Sequence, residues 1–315
     1  MCVCTIGSNP DNLHKCENFL ALAARDAVGE HHSVRDPETA DVLLFVDVHH
    51  HYERPLLPCV RRHELVRRFP AKAFVYDERD VPIFTLPGIY VSARRTSLHR
   101  RAILGGPYDH VLNPVAPSLE TPDLLFSFQG VNCHAVREAV LGLSHPRALV
   151  RDNRGVDFFR AREMGPDLLA RARHEYAELI GRSKFVLCPR GRGPTSFRLF
   201  ETLMAGRVPV VISDDWLPPP RVDWDRCIVR VAERDVATIP VLLDGLEPRW
   251  PELVAAGREQ HSTQLAPDRL WHHFCTSIET LARQQPRFAP PWWMQEEVAR
   301  VGARQVRRLV RGARA

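Results

Sequence analysis

This sequence of 315 residues has no long apolar run. A helix that spans a bilayer needs about 20 consecutive apolar residues, and no stretch of the chain approaches that length. The first residues also lack the basic segment and the apolar core of a signal peptide. We therefore expect a cytoplasmic protein without a membrane span.

Lysine is nearly absent, with Lys15, Lys72 and Lys184 as the only examples, so arginine carries almost all of the positive charge behind the formal net charge of +5. Codon usage in a GC-rich genome would explain this bias. Arginine also suits planar, bidentate contacts with phosphate, and the two explanations are compatible. The arginines are spread among 38 acidic residues instead of clustering with aromatics, which argues against a nucleic-acid partner.

Metal-binding patterns are missing as well. The 8 cysteines form no CxxC pair, so a zinc framework has no support. Asp223 and Asp225 have the Asp-x-Asp form of manganese-dependent transferases, but we interpret them as a polar turn packed by Trp224. The histidines at 49–51 would alternate in direction along a strand and cannot all face one ion. We expect no metal and no bound cofactor.

Composition and patterning indicate an α/β protein with two domains. The apolar content of 44% and the charged content of 26% are ordinary for a globular protein, and 315 residues suffice for two cores. Short apolar strands alternate with helical patterns in the first half, which is typical of a parallel sheet covered on both faces. The predicted strands there are 2–6, 41–46 and 73–76, and the predicted helices are 12–28 and 56–69.

Residues 113–123 hold three prolines and make the best linker. We predict an N-terminal Rossmann-like domain over 1–118, a second over 119–285 and a helical tail over 286–315. From Glu296 onward the tail is a basic amphipathic helix. It can pack its apolar stripe on the body of the protein, which we favour, or lie as a peripheral contact on the inner face of an anionic membrane.

Residues 183–216 predict a strand, a helix and a second strand. The strand 185–188 runs into a loop at 189–195, Ser196 is a suitable N-cap, Gly206 closes the helix and strand 208–212 follows. A right-handed crossover puts this loop at the carboxyl edge of a parallel sheet, where ligands bind. The same domain has predicted strands at 124–130 and 227–231 and predicted helices across 236–284.

The loop at 189–195 has the chemistry of a diphosphate site. Its two glycines let a ligand approach the backbone, and the helix that follows presents unpaired N–H groups and the positive end of its dipole. Arg190, Arg192 and Arg198 can add charge-assisted hydrogen bonds. Glu201 shares a helix face with Arg198 and can accept hydrogen bonds from a ribose. The pattern is neither a Walker loop nor a complete GxGxxG, and an ordinary turn with solvated arginines is the alternative.

The same segment resembles the signature of the exostosin-type glycosyltransferases. That signature runs Ser-x-Phe-x-Leu-x-Pro-x-Gly, then Ser-x-Arg-x-x-Glu, then Ala-Gly-x-x-Pro-Val-x-x-Ser/Asp with a nearby proline. The good match covers about 124–245. The residues that fill the signature are Ser183, Phe185, Leu187, Pro189, Gly191, Ser196, Arg198, Glu201, Ala205, Gly206, Pro209, Val210, Asp214 and Pro218.

The resemblance implies a GT-B fold, in which two Rossmann-like domains with parallel sheets face each other across a cleft. It also implies inverting, metal-independent transfer from a nucleotide sugar, with Ser196 and Arg198 on the diphosphate, Glu201 on the ribose and Gly130 opening the loop that faces the donor. The chain lacks the anchor and stem of eukaryotic members, so we expect a soluble, bacterial-like member. The predicted donor-binding residues are Gly130, Arg190, Gly191, Gly193, Thr195, Ser196, Arg198 and Glu201.

Three questions stay open at this point. The base that takes the acceptor proton should follow a strand of the first domain, and the sequence does not choose between the candidates. The donor can carry UDP, GDP or dTDP, and the acceptor can be a glycan, a lipid-linked precursor or a small molecule. A non-catalytic module that binds a nucleotide sugar or a glycan is the alternative function. The base candidates are Asp47, His49, His50, Asp77, Glu78 and Asp80.

Overall fold

A computed structural model describes residues 1–7, 14–46, 60, 63–82, 84–96, 102–117, 121–153, 156, 158 and 165–284. The chain divides into two compact units, a first unit of Met1–Gly106 with Pro267–Ala315 and a second unit of Pro107–Ala266. Each unit contains one sheet whose strand pairs are all parallel. The predicted α/β class with two parallel sheets is therefore confirmed.

The first unit has a six-stranded sheet in the order β2-β1-β3-β4-β5-β6. Its central strands are buried along their whole length, as their continuous apolar runs predict. The strands are β1 Cys2–Gly7, β2 His32–Ser33, β3 Val42–Val46, β4 Ala73–Asp77, β5 Gly88–Tyr90 and β6 Ile103–Leu104. The helices are α1 His14–Arg25, α2 Glu64–Arg68 and α9 Leu270–Gln284.

Helix α9 belongs to the first unit, whereas the predicted domain limits place it in the second. Its apolar stripe is buried, and the Phe274 ring lies 5.1 Å from the ring of Phe19 on α1 and 5.3 Å from that of Tyr76 on β4. Periodicity shows that a helix has an apolar face, but it does not identify the surface that covers this face.

The second unit has a five-stranded sheet in the order β11-β10-β9-β7-β8. Its strands are β7 Leu124–Gly130, β8 Ala148–Asp152, β9 Ser183–Pro189, β10 Val208–Ile212 and β11 Val229–Val231. Its helices are α3 Ala135–Leu141, α4 Pro166–Gly181, α5 Phe197–Met204, α6 Trp224–Cys227, α7 Ile239–Leu246 and α8 Trp250–Gln260. The chain order reverses between β7 and β9, which makes this pair the topological switch point of the sheet.

Two local predictions for the second unit need correction. Cys227 ends the short helix α6 instead of starting a strand, because Trp224 is buried and its indole Nε1 donates to the carbonyl oxygen of Pro219 at 2.8 Å. Part of the predicted linker at 113–123 is packed, since Asn113 and Val115 are each 3% exposed. The chain there follows the surface of the second unit, and the unit boundary falls at 106/107.

Several predictions lie wholly or partly outside the described residues. The basic tail over 286–315 is among them, and so are residues 56–59, 61 and 62 of the predicted helix 56–69. Helix α2 covers Glu64–Arg68 of that predicted helix. No helix in the described part of the chain combines the length and the apolar character needed to cross a bilayer.

Candidate functional site

Two predicted ligand-binding segments meet at the switch point of the second unit. Strand β7 ends at Gly130, and the neighbouring strand β9 ends at Pro189, where the loop of 190–196 begins. Loops that leave a parallel sheet on either side of a switch point open a crevice at its carboxyl edge, where ligands bind in open α/β sheets. The predicted donor-binding residues therefore lie at the expected ligand edge of this sheet.

Arg198 is a buried cation in the first turn of α5. Its side chain is 8% exposed, and its Nη2 donates to the main-chain carbonyl oxygen of Gln129. The guanidinium carbon lies 4.7 Å from the ring centre of Phe128 and 5.7 Å from that of Tyr176. Nε and Nη1 are buried and have no hydrogen-bond partner among the residues that the structure describes. Two donors of this cation are therefore unused.

Gly130 makes room for that guanidinium. A Cβ atom built on Gly130 would lie 2.9 Å from Nη2 of Arg198 and 3.0 Å from Cζ of Phe128. The loop after β7 can thus pass the Arg198 side chain only because position 130 carries no side chain. The structure gives the predicted glycine a definite steric role.

Arg190 is the second buried cation at the start of the loop. It is 7% exposed, and its main-chain N–H donates to the carbonyl oxygen of Ile212 at 3.0 Å, which extends the pairing of β9 with β10. Its Nη1 lies 3.5 Å from a carboxylate oxygen of Glu233 and 3.8 Å from one of Asp215. Nε is buried without a hydrogen-bond partner in the described part of the chain. Two carboxylates therefore offset the charge of Arg190 at Nη1, while its Nε has no acceptor among the described residues.

The rest of the loop leads into α5. Gly193 and Thr195 are buried, Gly191 is half-buried, and Ser196 takes the extended N-cap conformation but makes no capping hydrogen bond through its side chain. The hydroxyl of Ser196 is therefore not used by the helix that it precedes. At the other end of α5, Gly206 has a φ of +69°, as the predicted C′ glycine requires.

Glu201 is held inside the protein. It is 1% exposed, one carboxylate oxygen accepts from the main-chain N–H of Asn113 at 2.7 Å, and the other accepts from the hydroxyl of Tyr176 at 2.6 Å. Burial is the main reason why the pKa of Glu201 is raised above its ordinary value. A ribose hydroxyl would have to compete with these two donors for the same carboxylate, so the role in ribose binding stays a prediction.

Arg137 on α3 is a site residue that the sequence analysis did not identify. Its Nε donates to the carbonyl oxygen of Arg190 and its Nη1 to that of Val131, both at 3.0 Å. It therefore joins the loop after β7 to the loop after β9. A basic residue in the helix that follows a strand ending in glycine is weak evidence for a site residue. The sequence does not show which carbonyl groups such a residue contacts.

The base candidates of the first unit are only partly described. Asp77 ends β4 and is 1% exposed, and its carboxylate oxygens accept from Nε of Arg79 at 2.9 and 3.0 Å. The Asp77 carboxylate is therefore buried and already bonded to a guanidinium. Asp80 is exposed in the segment that follows β4. Asp47 and His49 lie outside the described residues.

A comparison with protein-family models matches the part of the chain that carries this site. The family model of the Exostosin GT47 domain matches residues 119–246. An exostosin-1 homolog of Caenorhabditis elegans is 53% identical over 73 residues, which are 22% of this chain and 19% of that protein. A probable glucuronosyltransferase of Oryza sativa is 45% identical over 71 residues, which are 22% of this chain and 17% of that protein.

The match is local, because the aligned segment spans less than a fifth of the length of either relative. Among solved structures, a glycosyltransferase from Rickettsia africae is similar over 91% of this chain and 99% of its own, at 8% identity and a TM-score of 0.42. Residues 119–246 are therefore similar to the glycosyltransferase domain of the exostosin family.

Proposed function

We propose that this protein transfers a sugar from a nucleotide-sugar donor to a hydroxyl group, with inversion at the anomeric carbon and without a metal ion. The exostosin-type domain supports the class of reaction. The donor is assigned to the switch point of the second unit, with its diphosphate on Arg190, Arg198 and the backbone of the loop that joins them.

The observation that carries the proposal is the unused donor capacity of two buried arginines. Arg190 and Arg198 are 7% and 8% exposed, and Nε of each has no partner among the described residues. A buried guanidinium N–H group without an acceptor is unfavourable until a ligand oxygen accepts its hydrogen bond. A diphosphate has enough charged oxygens to use these donors together, and the half-buried Gly191 leaves the backbone open to it.

The reaction joins the acceptor oxygen to the anomeric carbon and breaks the bond between that carbon and the diphosphate oxygen. The bonding electrons leave with the nucleoside diphosphate, and the acceptor proton passes to a base. Arg190 and Arg198 would stabilise the negative charge that develops on the leaving group, which is the role of the ion in metal-dependent transferases. Among the base candidates, Asp47, His49 and Asp80 are favoured over the buried Asp77.

The first donor to try carries glucuronic acid on UDP, because one relative is named a probable glucuronosyltransferase. GDP- and dTDP-linked sugars complete the panel. We propose a glycan, a lipid-linked glycan precursor or a small molecule as acceptor, in that order, since the exostosin-type domain is the part of the chain with close relatives.

Calorimetric titration of the full chain with this panel, with a chelator present, tests the donor site. We expect one nucleotide to bind selectively without added metal. Arg198→Gln should weaken binding at least tenfold, because a charge-assisted hydrogen bond contributes about 1.5–3 kcal/mol and about 1.4 kcal/mol is a factor of ten. Arg171→Gln is the matched control, since the Arg171 side chain on α4 is 78% exposed and pairs with Glu175 in the next turn.

Thermal unfolding of each variant separates lost binding from lost folding. If the folded wild type binds no member of the panel, the donor site is wrong. Turnover is then measured as release of nucleoside diphosphate with each class of acceptor. Selective binding without turnover on any of them would favour the non-catalytic module.

A further inference from the structure

Three side chains of the first unit bring metal-binding atoms together. One ligand atom from each of Glu30, His31 and His272 lies within 4.8 Å of the other two. Glu30 and His31 immediately precede β2, and His272 lies in the first turn of α9. The cluster is therefore at the amino edge of the sheet, whereas the base candidates follow the carboxyl ends of its strands.

The two imidazoles have unsatisfied nitrogen atoms. His31 is 8% exposed, and Nδ1 of both His31 and His272 is buried without a hydrogen-bond partner within the described ranges. Buried polar atoms are almost always paired, so two unpaired ring nitrogens in neighbouring residues call for an explanation. The ring centres are 5.2 Å apart.

Thr276 holds the other nitrogen of each ring. Its hydroxyl oxygen lies 3.1 Å from Nε2 of His31 and 3.4 Å from Nε2 of His272. A hydroxyl oxygen has two lone pairs and can accept from both rings, and in that arrangement each Nε2 carries the proton and each Nδ1 has a free lone pair. Histidines that bind metals are normally oriented in this way by a hydrogen bond from the opposite nitrogen.

Glu30 supplies the third group. Its carboxylate oxygen lies 3.9 Å from Nδ1 of His272, and its side chain is 68% exposed, so it is free to move towards an ion. We propose that Glu30, His31 and His272 form a binding site for a divalent transition metal of the zinc type. Two imidazole nitrogens, one carboxylate oxygen and a water molecule complete the four-coordinate geometry that zinc prefers.

Such a site would link the segment before β2 to α9. The indole Nε1 of Trp271 donates to the carbonyl oxygen of His31 at 3.3 Å, and the N–H of Ala27 donates to the carbonyl oxygen of Asp268 at 2.9 Å. The segment before β2 is thus already joined to the start of α9. A metal ion would tie the same junction more tightly, and binding to the folded state alone stabilises it.

The full chain is prepared without a polyhistidine tag, and a chelator removes any bound metal. Zinc binding is then measured by competition with a chromophoric chelator. We expect one equivalent of Zn²⁺ and a higher unfolding temperature in its presence. His272→Asn and Glu30→Gln should each weaken binding at least tenfold. His32→Asn is the matched control, because His32 is adjacent to His31 but exposed, and it should bind as the wild type does.

Glu30→Gln keeps the test decisive if the histidine variant does not fold, since the Glu30 side chain is exposed. The inference fails if the wild type binds no Zn²⁺, or if binding persists unchanged in Glu30→Gln and His272→Asn. Cobalt substitution is an independent measurement, with visible absorption typical of a four-coordinate site expected in the wild type and its loss expected in His272→Asn. Mg²⁺ should not compete, because it prefers six oxygen ligands.

Discussion

At the scale of single residues, the candidate site depends on a glycine and an arginine that fit each other. Gly130 was predicted to open the loop that faces the donor, and in the structure it leaves space for the buried guanidinium of Arg198. The Arg198 side chain in turn lies between two aromatic rings, which limits where it can move. Donor affinity should therefore respond to a single methyl group at position 130.

Gly130→Ala tests this fit. The added Cβ would lie 2.9 Å from Nη2 of Arg198 and should displace the guanidinium, so we expect about a tenfold loss of nucleotide affinity and a loss of about 1–3 kcal/mol of stability. Gly245→Ala is the control, because its Cβ would meet nothing within 4 Å and it lies in α7. Titration calorimetry and urea unfolding measure the two effects, and equal affinities for both variants would contradict the steric role.

At the scale of secondary-structure elements, the loops at the switch point are joined by α3. Arg137 reaches from this helix to carbonyl groups in both loops, so the loop after β9 is not positioned by its own sequence alone. Removing the side chain should loosen the phosphate-binding backbone without removing any group that we assign to the donor. The effect should therefore appear in donor binding and much less in stability.

For Arg137→Gln we expect the donor KM to rise about tenfold while the unfolding temperature falls by only a few degrees, since each lost hydrogen bond contributes about 1 kcal/mol. Arg137→Lys should restore binding only in part, because an ammonium group does not reproduce the planar fork that spans two carbonyl groups. Steady-state kinetics with the identified donor measures this. An unchanged KM would mean that α3 does not position the loop.

Glu201 joins three elements, since α5 carries it while α4 and the segment before β7 supply its donors. Burial raises the pKa of Glu201 in the folded protein. At a pH between the ordinary pKa and this raised pKa, the folded protein therefore holds a proton that the unfolded chain has released. Stability should therefore fall as the pH rises above about 4.3. The behaviour of Glu247 should be the opposite, because hydrogen bonds from Arg147 and then Lys184 lower its pKa to about 2.

Urea unfolding of Glu201→Gln and Glu247→Gln across pH tests these signs. Relative to Glu201→Gln, the wild type should lose stability as the pH rises above about 4.3. Relative to Glu247→Gln, the wild type should lose stability as the pH falls from about 4.3 towards 2. If the difference in unfolding free energy between the wild type and Glu201→Gln does not change with pH, folding does not raise the pKa of Glu201.

At the scale of the whole molecule, the second unit begins before the family match does. The match starts at residue 119, but the unit starts at Pro107. Between these positions the Tyr108 ring stacks on Phe197 with 3.5 Å between the ring centres, and the N–H of Asn113 donates to Glu201. These contacts cover the start of α5 and satisfy its buried carboxylate.

A fragment of residues 107–266 should therefore unfold cooperatively, and a fragment of 119–266 should be several kcal/mol less stable. The shorter fragment loses a hydrogen bond to a charged group, worth about 1.5–3 kcal/mol, and an aromatic pair worth about 0.5–1.5 kcal/mol. Circular dichroism during urea unfolding compares the two. Equal stability would place the functional boundary at 119 and leave the 107–117 segment without a structural role.

The sequence by itself determined the α/β class, most of the central strands and the strand, loop and helix that carry Arg190, Arg198 and Gly206. These features follow from patterns within about 30 residues: continuous apolar runs for buried parallel strands, helical spacing for α5 and a glycine after its last turn. The handedness of the crossover then places the loop at the ligand edge without any knowledge of other contacts.

Only the tertiary structure decided which groups meet across the chain. The partner of Glu201 is 88 residues away in Asn113, and the Thr276 hydroxyl that faces the His31 imidazole is 245 residues away. The membership of α9 in the first unit, the bridge made by Arg137 and the cluster of Glu30, His31 and His272 are of the same kind. Local patterns show that a side chain is apolar, charged or helical, but burial and pairing depend on which distant surface covers it.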